Sequence, residues 1–300
     1  MPRIARFPID TPLRLDAEHR DFKLLTRLEV AIYHQAGGED QFRERIPTLL
    51  RQAVDEVIDT RRSGRFVLNE LQNSEKTYIG TKVEIVVRSY LKLPRGTLLD
   101  VVIDGVETDI KNTIGTSWMI PKEAVGHPCI LIRTDEKKSK CWFGLIVAHG
   151  DLLNPGGNQD LKTTIAASHF SNVLWMLYAH DYPRNFWEDV TPVFRNELMR
   201  ITSANARVVA FFKHYMQTPI SRHVLEGLIT PQLDPMKRLR KNGGARDQLS
   251  REGIALLSGT YNANLIAAMD LPFCKTDEWI SFAPQTERQR QLLRESGCID

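Results

Sequence analysis

Leu99-Asp100-Val101-Val102-Ile103-Asp104-Gly105-Val106-Glu107-Thr108-Asp109-Ile110-Lys111 is the stretch on which the reading of this chain turns. It divides into two runs rich in β-branched residues around Asp104-Gly105. Asp-Gly is a favoured loop for a type I′ hairpin, because both central residues must take positive φ. With that loop Ile103 faces Val106 and, counting outward, Asp100 faces Asp109. Lys111, two residues further on, points to the same face as Asp109. Cross-strand partners hold their Cβ atoms roughly 4.5–5.5 Å apart, so the two carboxylates repel each other and weaken the sheet unless a cation lies between them.

A carboxylate pair, a divalent cation and a nearby ammonium are the working parts of metal-dependent phosphodiester hydrolysis. Mg²⁺ takes oxygen ligands from one or two carboxylates, waters and a substrate phosphate. It polarises the phosphoryl oxygen and activates the attacking water, while Lys111 is placed to neutralise developing charge. Glu84, in Gly80-Thr81-Lys82-Val83-Glu84-Ile85, is the candidate for a further acid, because a carboxylate set between Val83 and Ile85 wants a partner. Lys76 and Thr77, close by, are candidates to touch a nucleic-acid backbone. Other tripeptides of this form, Asp21-Phe22-Lys23, Asp135-Glu136-Lys137, Glu136-Lys137-Lys138 and Asp160-Leu161-Lys162, have no acid facing them across a hairpin. The run Asp135 to Lys140 reads as a solvated turn between strands. A D-x-K alone is a surface feature, and it is the facing Asp100 that brings the catalytic reading level with the plain one.

Three hundred residues, 42% hydrophobic and 26% charged, are those of an ordinary globular protein with chain enough for two domains. The net charge of +3 is mild but uneven: between Trp187 and Arg251 there are 11 Lys/Arg against 6 Asp/Glu, a local +5 that leaves about −2 elsewhere. A basic second half suits phosphate contacts. Cys129, Cys141, Cys274 and Cys298 form no C-x-x-C, and the first two read as packed thiols. The N-terminal residues lack the apolar core of a signal peptide, and no run approaches membrane-spanning length. A cytoplasmic protein with reduced thiols and no membrane partner is expected. No Gly-rich P-loop is present, which argues against a small-phosphate enzyme.

Apolar spacing predicts a helix within Arg14–His34, a second beginning near Pro47, and a third over about Thr81–Leu91. The hairpin and strands at about Cys129–Arg133 and Cys141–Val147 follow, completing an α/β unit with a mixed sheet. The apolar segment His169–His180 is compatible with a helix. A boundary near Pro183 to Glu188 separates domains of residues 1–182 and 183–300, the second mostly helical. There Ala204–Met216 and Ile220–Ile229, with Thr218-Pro219 as the start of the latter, resemble a helix-turn-helix carrying Arg222 and His223, although most such patterns are simply packed helices. The basic, glycine-broken run holding Lys237, Arg238, Arg240, Lys241 and Arg246 suits phosphate contact or a mobile surface loop. Trp118 can be read as a base-stacking residue, though most tryptophans pack in cores, and His127 is the histidine best placed for DNA contact.

The set Glu84, Asp100 and Asp109-Ile110-Lys111 resembles the PD-(D/E)xK nucleases. The wider context is similar to the NaeI-type restriction endonucleases, a type IIE group. It rests on Arg62-Ser-Gly-Arg-Phe66, Glu75-Lys-Thr-Tyr-Ile-Gly-Thr-Lys-Val-Glu-Ile85, Ser117-Trp-Met-Ile-Pro121, Gly126-His127, Asn158-Gln-Asp-Leu-Lys162 and Met236-Lys-Arg-Leu-Arg240 with Gly243-Gly-Ala-Arg246 and Glu252-Gly-Ile254. Each motif alone is weak, but they keep one order from about residue 45 to 255. The resemblance implies a PD-(D/E)xK endonuclease core and a winged-helix-like C-terminal domain similar to that of catabolite activator protein. It also implies a homodimer cutting a palindromic duplex site, a second DNA copy bound as effector, and a cognate DNA methyltransferase as functional partner. Glu84, Asp100 and Asp109 would bind Mg²⁺, with Lys111 catalytic. Ile110 departs from the cysteine expected between the last two positions. A nicking or repair nuclease, or a silent DNA-binding protein with a relic nuclease fold, are the alternatives.

Overall fold

The computed structural model of the chain describes residues 14–156, 162–229, 235–240 and 243–300. Two units emerge: residues 1–58 with 68–185, and residues 59–67 with 186–300. The second unit thus takes in a short segment that the sequence reading left within the first domain.

The first unit is a five-stranded mixed sheet with helices on one face. The helices are α1 (Phe22–Ala36), α2 (Glu39–Ile58) and, after the short α3 (Thr60–Ser63) of the other unit, α4 (Asn73–Tyr90). The strands are β1 (Val101–Ile103), β2 (Val106–Thr113), β4 (Pro128–Asp135), β5 (Lys140–Val147) and β7 (Leu174–Asp181), in the order β1-β2-β4-β5-β7, while β3 (Met119–Ile120) pairs with β6 (Thr163–Thr164). Only β2 and β4 run parallel; the other neighbours in the five-stranded sheet are antiparallel. Strands β4 and β5 are buried along nearly their whole length, as near-continuous apolar runs require when both sheet faces are covered. On one face Leu28, Leu50, Val83 and Val87 of the helices meet Ile110, Ile130 and Phe143. On the other, Trp118, Cys129, Leu131 and Ile146 pack beneath β3 and its neighbouring loops.

Several expectations change. Pro47 lies inside α2 rather than at its start. An interior proline costs about 3 kcal/mol, but Phe42, Ile46, Leu50, Ala53, Val54 and Ile58 form one buried stripe on both sides of it, and each large apolar side chain buried adds roughly 1.5–3 kcal/mol. Helix α4 begins two turns before the expected Thr81, because Gln72 and Glu75 form a capping box in which Glu75 Oε2 accepts from Gln72 N at 2.7 Å. The apolar segment 169–180 is not helical. A 3₁₀ turn over Ala167–Asn172 leads into β7, whose pairing with β5 supplies the backbone partners a helix would have supplied internally. The turn at 135–140 is also less solvated than expected. Glu136 is buried against Arg51 Nη1 at 2.5 Å and accepts from Tyr182 Oη at 3.0 Å.

The second unit contains α5 (Pro192–Arg200), α6 (Ala204–His214), β8 (Ile220–Ser221), α7 (Arg222–Leu228), α8 (Ala245–Arg251), β9 (Ala255–Ser258), α9 (Ala263–Ala268), β10 (Glu278–Phe282) and α10 (Glu287–Glu295). Its sheet runs β8-β10-β9, antiparallel throughout. The second of the two expected helices starts after Ser221, whose side chain accepts from Val224 N, instead of at Thr218-Pro219. The preceding residues Ile220 and Ser221 are taken by the sheet, where they pair with Trp279 and Glu278.

Candidate active site

The hairpin forms as the sequence dictates. Asp104 and Gly105 both take positive φ, 48° and 77°, and β1 pairs with β2 through Val101↔Thr108 and Ile103↔Val106. One step beyond that register Asp100 stands opposite Asp109. Asp100 Oδ2 accepts from Ile110 N at 2.7 Å, which fixes the side chain across the hairpin. Glu107, Asp109 and Lys111 occupy alternate positions of β2 and so share one face of the sheet. In register beside Asp109 and Lys111 are Cys129 and Leu131 of β4.

Lys111 joins the two acids. Its Nζ donates to Asp109 Oδ1 at 2.8 Å and to Ile110 O at 3.2 Å, and it lies 2.7 Å from Asp109 Oδ2 and 3.5 Å from Asp100 Oδ2. Asp109 is 3% exposed, and its buried Oδ2 has the Lys111 ammonium as charge partner. Burial first, and then the hydrogen bond shared with Asp100, push the Asp109 carboxyl up to about 7 against the pull of Lys111. Burial works against the Lys111 charge, but Asp109 and Asp100 outweigh it and raise its pKa. Burial also pushes the Cys129 thiol well up, keeping it neutral beside the acids.

Glu84 stands apart from this pair. It sits on α4 and shares with Lys111 the wall of a cleft of about 680 Å³, to which Lys76, Thr77, Asn112 and Lys162 also contribute. Its carboxyl is raised by burial and by the Asp100 charge, with Arg88, Lys111 and Arg95 opposing. Among the described residues, no group of three or more His, Cys, Asp and Glu side chains is gathered closely enough to hold a metal ion. The structure therefore unites Asp100, Asp109 and Lys111 and leaves Glu84 within their electrostatic reach.

Other sequence candidates are distributed differently. Trp118 is fully buried and its Nε1 donates to Ile132 O at 2.7 Å, so its ring supports the sheet from beneath and offers no face for base stacking. His127 is half-buried outside the residues that line the cleft, where it adds to the field lowering Glu107. In the second unit Arg222 is exposed and pairs with Glu226 at 2.8 Å. Lys237 and Arg240 are exposed on a 3₁₀ turn. Arg246 is half-buried at the start of α8, with its Nε buried and unbonded and its pKa lowered by burial, so it is a poorer phosphate contact than expected. Lys241 and the side chain of Arg238 lie outside the described residues, as does the stretch 158–161.

Sequence reasoning passed over Asn112 and Glu107. Asn112 lines the cleft with a buried Oδ1 that lacks a partner. Glu107 accepts from the backbone N–H groups of Thr97 at 2.7 Å, Leu98 at 3.4 Å and Leu99 at 2.9 Å, and these bonds, Thr97 first, hold its carboxyl below the usual range. The signal for Glu107 was its place two residues before Asp109 on the same face.

An acidic pair joined by Lys111, itself in the wall of a cleft that Lys76 and Lys162 also line, suits hydrolysis of a phosphodiester, and comparison with known proteins narrows this to the class of restriction endonucleases. Residues 34–289 match the family model described as restriction endonuclease NaeI, and the chain belongs to that family. It is 29% identical over 232 residues to the type II restriction enzyme NaeI of Lentzea aerocolonigenes, a match that covers 75% of this chain and 73% of that one. No helix among the described residues is long and apolar enough to cross a membrane.

Proposed function

We propose that this chain is a Mg²⁺-dependent endonuclease that cuts both strands of a palindromic duplex DNA site, using Asp100, Asp109 and Lys111. The observation that carries the reading is the facing acidic pair, Asp109 buried and Asp100 half-buried, with Lys111 Nζ 2.7 Å from Asp109 and 3.5 Å from Asp100. Two such carboxylates fit a hard cation: they face each other across the hairpin with a single ammonium between them as charge partner, and Mg²⁺ needs only one or two protein carboxylates beside water and phosphate. Asp100 and Asp109 would hold it, with Glu84 as the further acid. When bound there, Mg²⁺ supplies Lewis-acid polarisation of the phosphoryl oxygen and a water of lowered pKa.

The chain's own groups do the rest. Lys111 stands ready to neutralise charge building on the phosphoryl oxygens, an electrostatic effect strengthened in a partly water-excluded site. Lys76, Thr77 and Lys162 along the cleft position the DNA backbone, a contact that fixes register without reading sequence.

The second unit, in this reading, binds a further DNA copy as effector. Its order of helix, strand, two helices and two strands, α6-β8-α7-α8-β9-β10 with β10 central, supports a winged helix. In this reading α7 and α8, rather than α6 and α7, would be the helix-turn-helix pair. Homodimerisation on a palindrome and protection of host DNA by a cognate methyltransferase complete the proposal. Incubation of supercoiled plasmids with Mg²⁺ or with EDTA tests it. Discrete linear fragments with Mg²⁺ alone support double-strand cutting at a defined site, open circles mean nicking, and no cutting together with DNA retention in a gel shift means a silent binder.

A further inference from the structure

We propose that Glu107 is a positioning residue for Asp100: its carboxylate clamps the Thr97–Leu99 turn and thereby sets where the Asp100 carboxylate stands. The inference rests on the reading of Asp100 and Asp109 as the cutting pair, and it concerns a residue that makes no contact with Lys111 or Asp109 in that reading.

The geometry is a backbone capture. Oε1 of Glu107 accepts from Thr97 N at 2.7 Å and Leu98 N at 3.4 Å, and Oε2 accepts from Leu99 N at 2.9 Å. Three successive amides converging on one carboxylate form a concave anion site, and here the anion is supplied by the chain itself. The residue after the last captured amide is Asp100. The same turn is stitched to β1 from its other side by Val102 N to Pro94 O at 2.9 Å and Gly96 N to Asp100 O at 3.4 Å. Space at the clamp is used up: a Cβ at Gly96 would fall inside contact distance of Glu107 Oε2 and of Leu99 O. Asp100 is thus fixed twice, through the main chain leading into it, which Glu107 holds at Leu99 N, and through its side chain by Ile110 N. β1 is only three residues long and lies at the edge of the sheet, so its ladder alone does little to hold the residue that precedes it.

Glu107→Ala removes the clamp, Glu107→Gln keeps one acceptor oxygen, and Gly96→Ala forces carboxylate and turn apart while keeping the glutamate itself. Each full-length variant is compared with wild type in three ways: hydrogen exchange at the Thr97–Leu99 amides, DNA affinity in EDTA, and single-turnover cutting of a plasmid across a Mg²⁺ titration. We expect Glu107→Ala to lose amide protection, to bind DNA as wild type does, and to cut about 10²-fold more slowly, the scale of a 1 Å misplacement, with a raised Mg²⁺ midpoint. Glu107→Gln should fall between the two, and Gly96→Ala should reproduce the slow cutting. Cutting at the wild-type rate by Glu107→Ala with its amides unprotected overturns the proposal. So does Glu107→Gln being as slow as the alanine variant, which would make the charge itself the active element. If Glu107→Ala does not fold, wild-type cutting by Gly96→Ala overturns it. Wild-type cutting by Asp100→Ala instead removes the underlying site reading, an outcome the Glu107 variants cannot imitate.

Discussion

Asp100 and Asp109 stand opposite each other one step beyond the β1–β2 register, with Lys111 Nζ 3.5 Å from the first carboxylate and 2.7 Å from the second, and burial first, then Asp100, lift the Asp109 carboxyl to about 7. Two acids held this way destabilise the sheet they belong to, since like charges placed opposite each other cost free energy. Asp109→Asn should therefore keep the fold, raise Tm by a few degrees at pH 8 in EDTA, and abolish cutting. A variant less stable than wild type at that pH would contradict the account. A gain of about 1 kcal/mol corresponds to roughly 2–4 °C in a protein of 150–250 residues.

The same pair sets a pH dependence. The Asp109 pKa is raised in the folded state from 3.8 to about 7, so between those values the folded protein holds more protons than the unfolded one. Stability from this group is then fully present below pH 4 and is lost as pH rises through 7. The difference in Tm between Asp109→Asn and wild type should widen from pH 5 to pH 8 in metal-free buffer. A flat difference across that range would remove the raised carboxyl from the account.

Lys111→Met should leave DNA binding in EDTA within a factor of about two, while slowing single-turnover cutting by about 10²–10³-fold, the scale of losing one well-placed charge-stabilising group. A rise in Kd with an unchanged rate at saturation would instead assign Lys111 to binding.

Away from the cleft, Arg51 is buried between Asp55 at 2.7 Å and Glu136 at 2.5 Å, with its guanidinium over Tyr182 at 5.4 Å. Arg51→Met strands the buried Glu136, and breaking such a network by removing one partner costs about 3–5 kcal/mol. Urea unfolding should show that loss, with Arg51→Met/Glu136→Gln recovering part of it.

In the second unit Lys237 is exposed and basic. Lys237→Ala should weaken DNA binding by that unit and reduce the salt slope of log K by about 1 if Lys237 meets a phosphate. An unchanged slope would place the DNA elsewhere.

The hairpin was legible because its information is local: an Asp-Gly loop and period-two alternation fix turn, register and the facing acids. What escaped the sequence depends on distant partners. Leu174–Asp181 (LWMLYAHD) is apolar at both parities, so periodicity did not separate strand from helix until β5 stood beside it. Pro47 was read as a helix start because proline weakens an interior, yet a buried stripe of six side chains carries α2 through it. Glu107 read as an ordinary strand residue, because its partners Thr97 to Leu99 lie across the hairpin in a turn whose path only the fold defines. Trp118 looked like a DNA contact until the sheet covered it. Within the site, the pair, its lysine and the helical place of Glu84 were readable, while the distance of Glu84 from the pair was not, since helix-to-sheet distance has no signature in the chain.

The most direct test is single-turnover cutting of one plasmid by wild type and by Asp109→Ala, each saturated with DNA in Mg²⁺, with DNA affinity measured in parallel in EDTA. The account predicts wild-type fragments with unique ends, and for Asp109→Ala unimpaired binding with cutting slowed at least about 10³-fold. Asp109→Ala cutting at the wild-type rate, at the same ends, would contradict it.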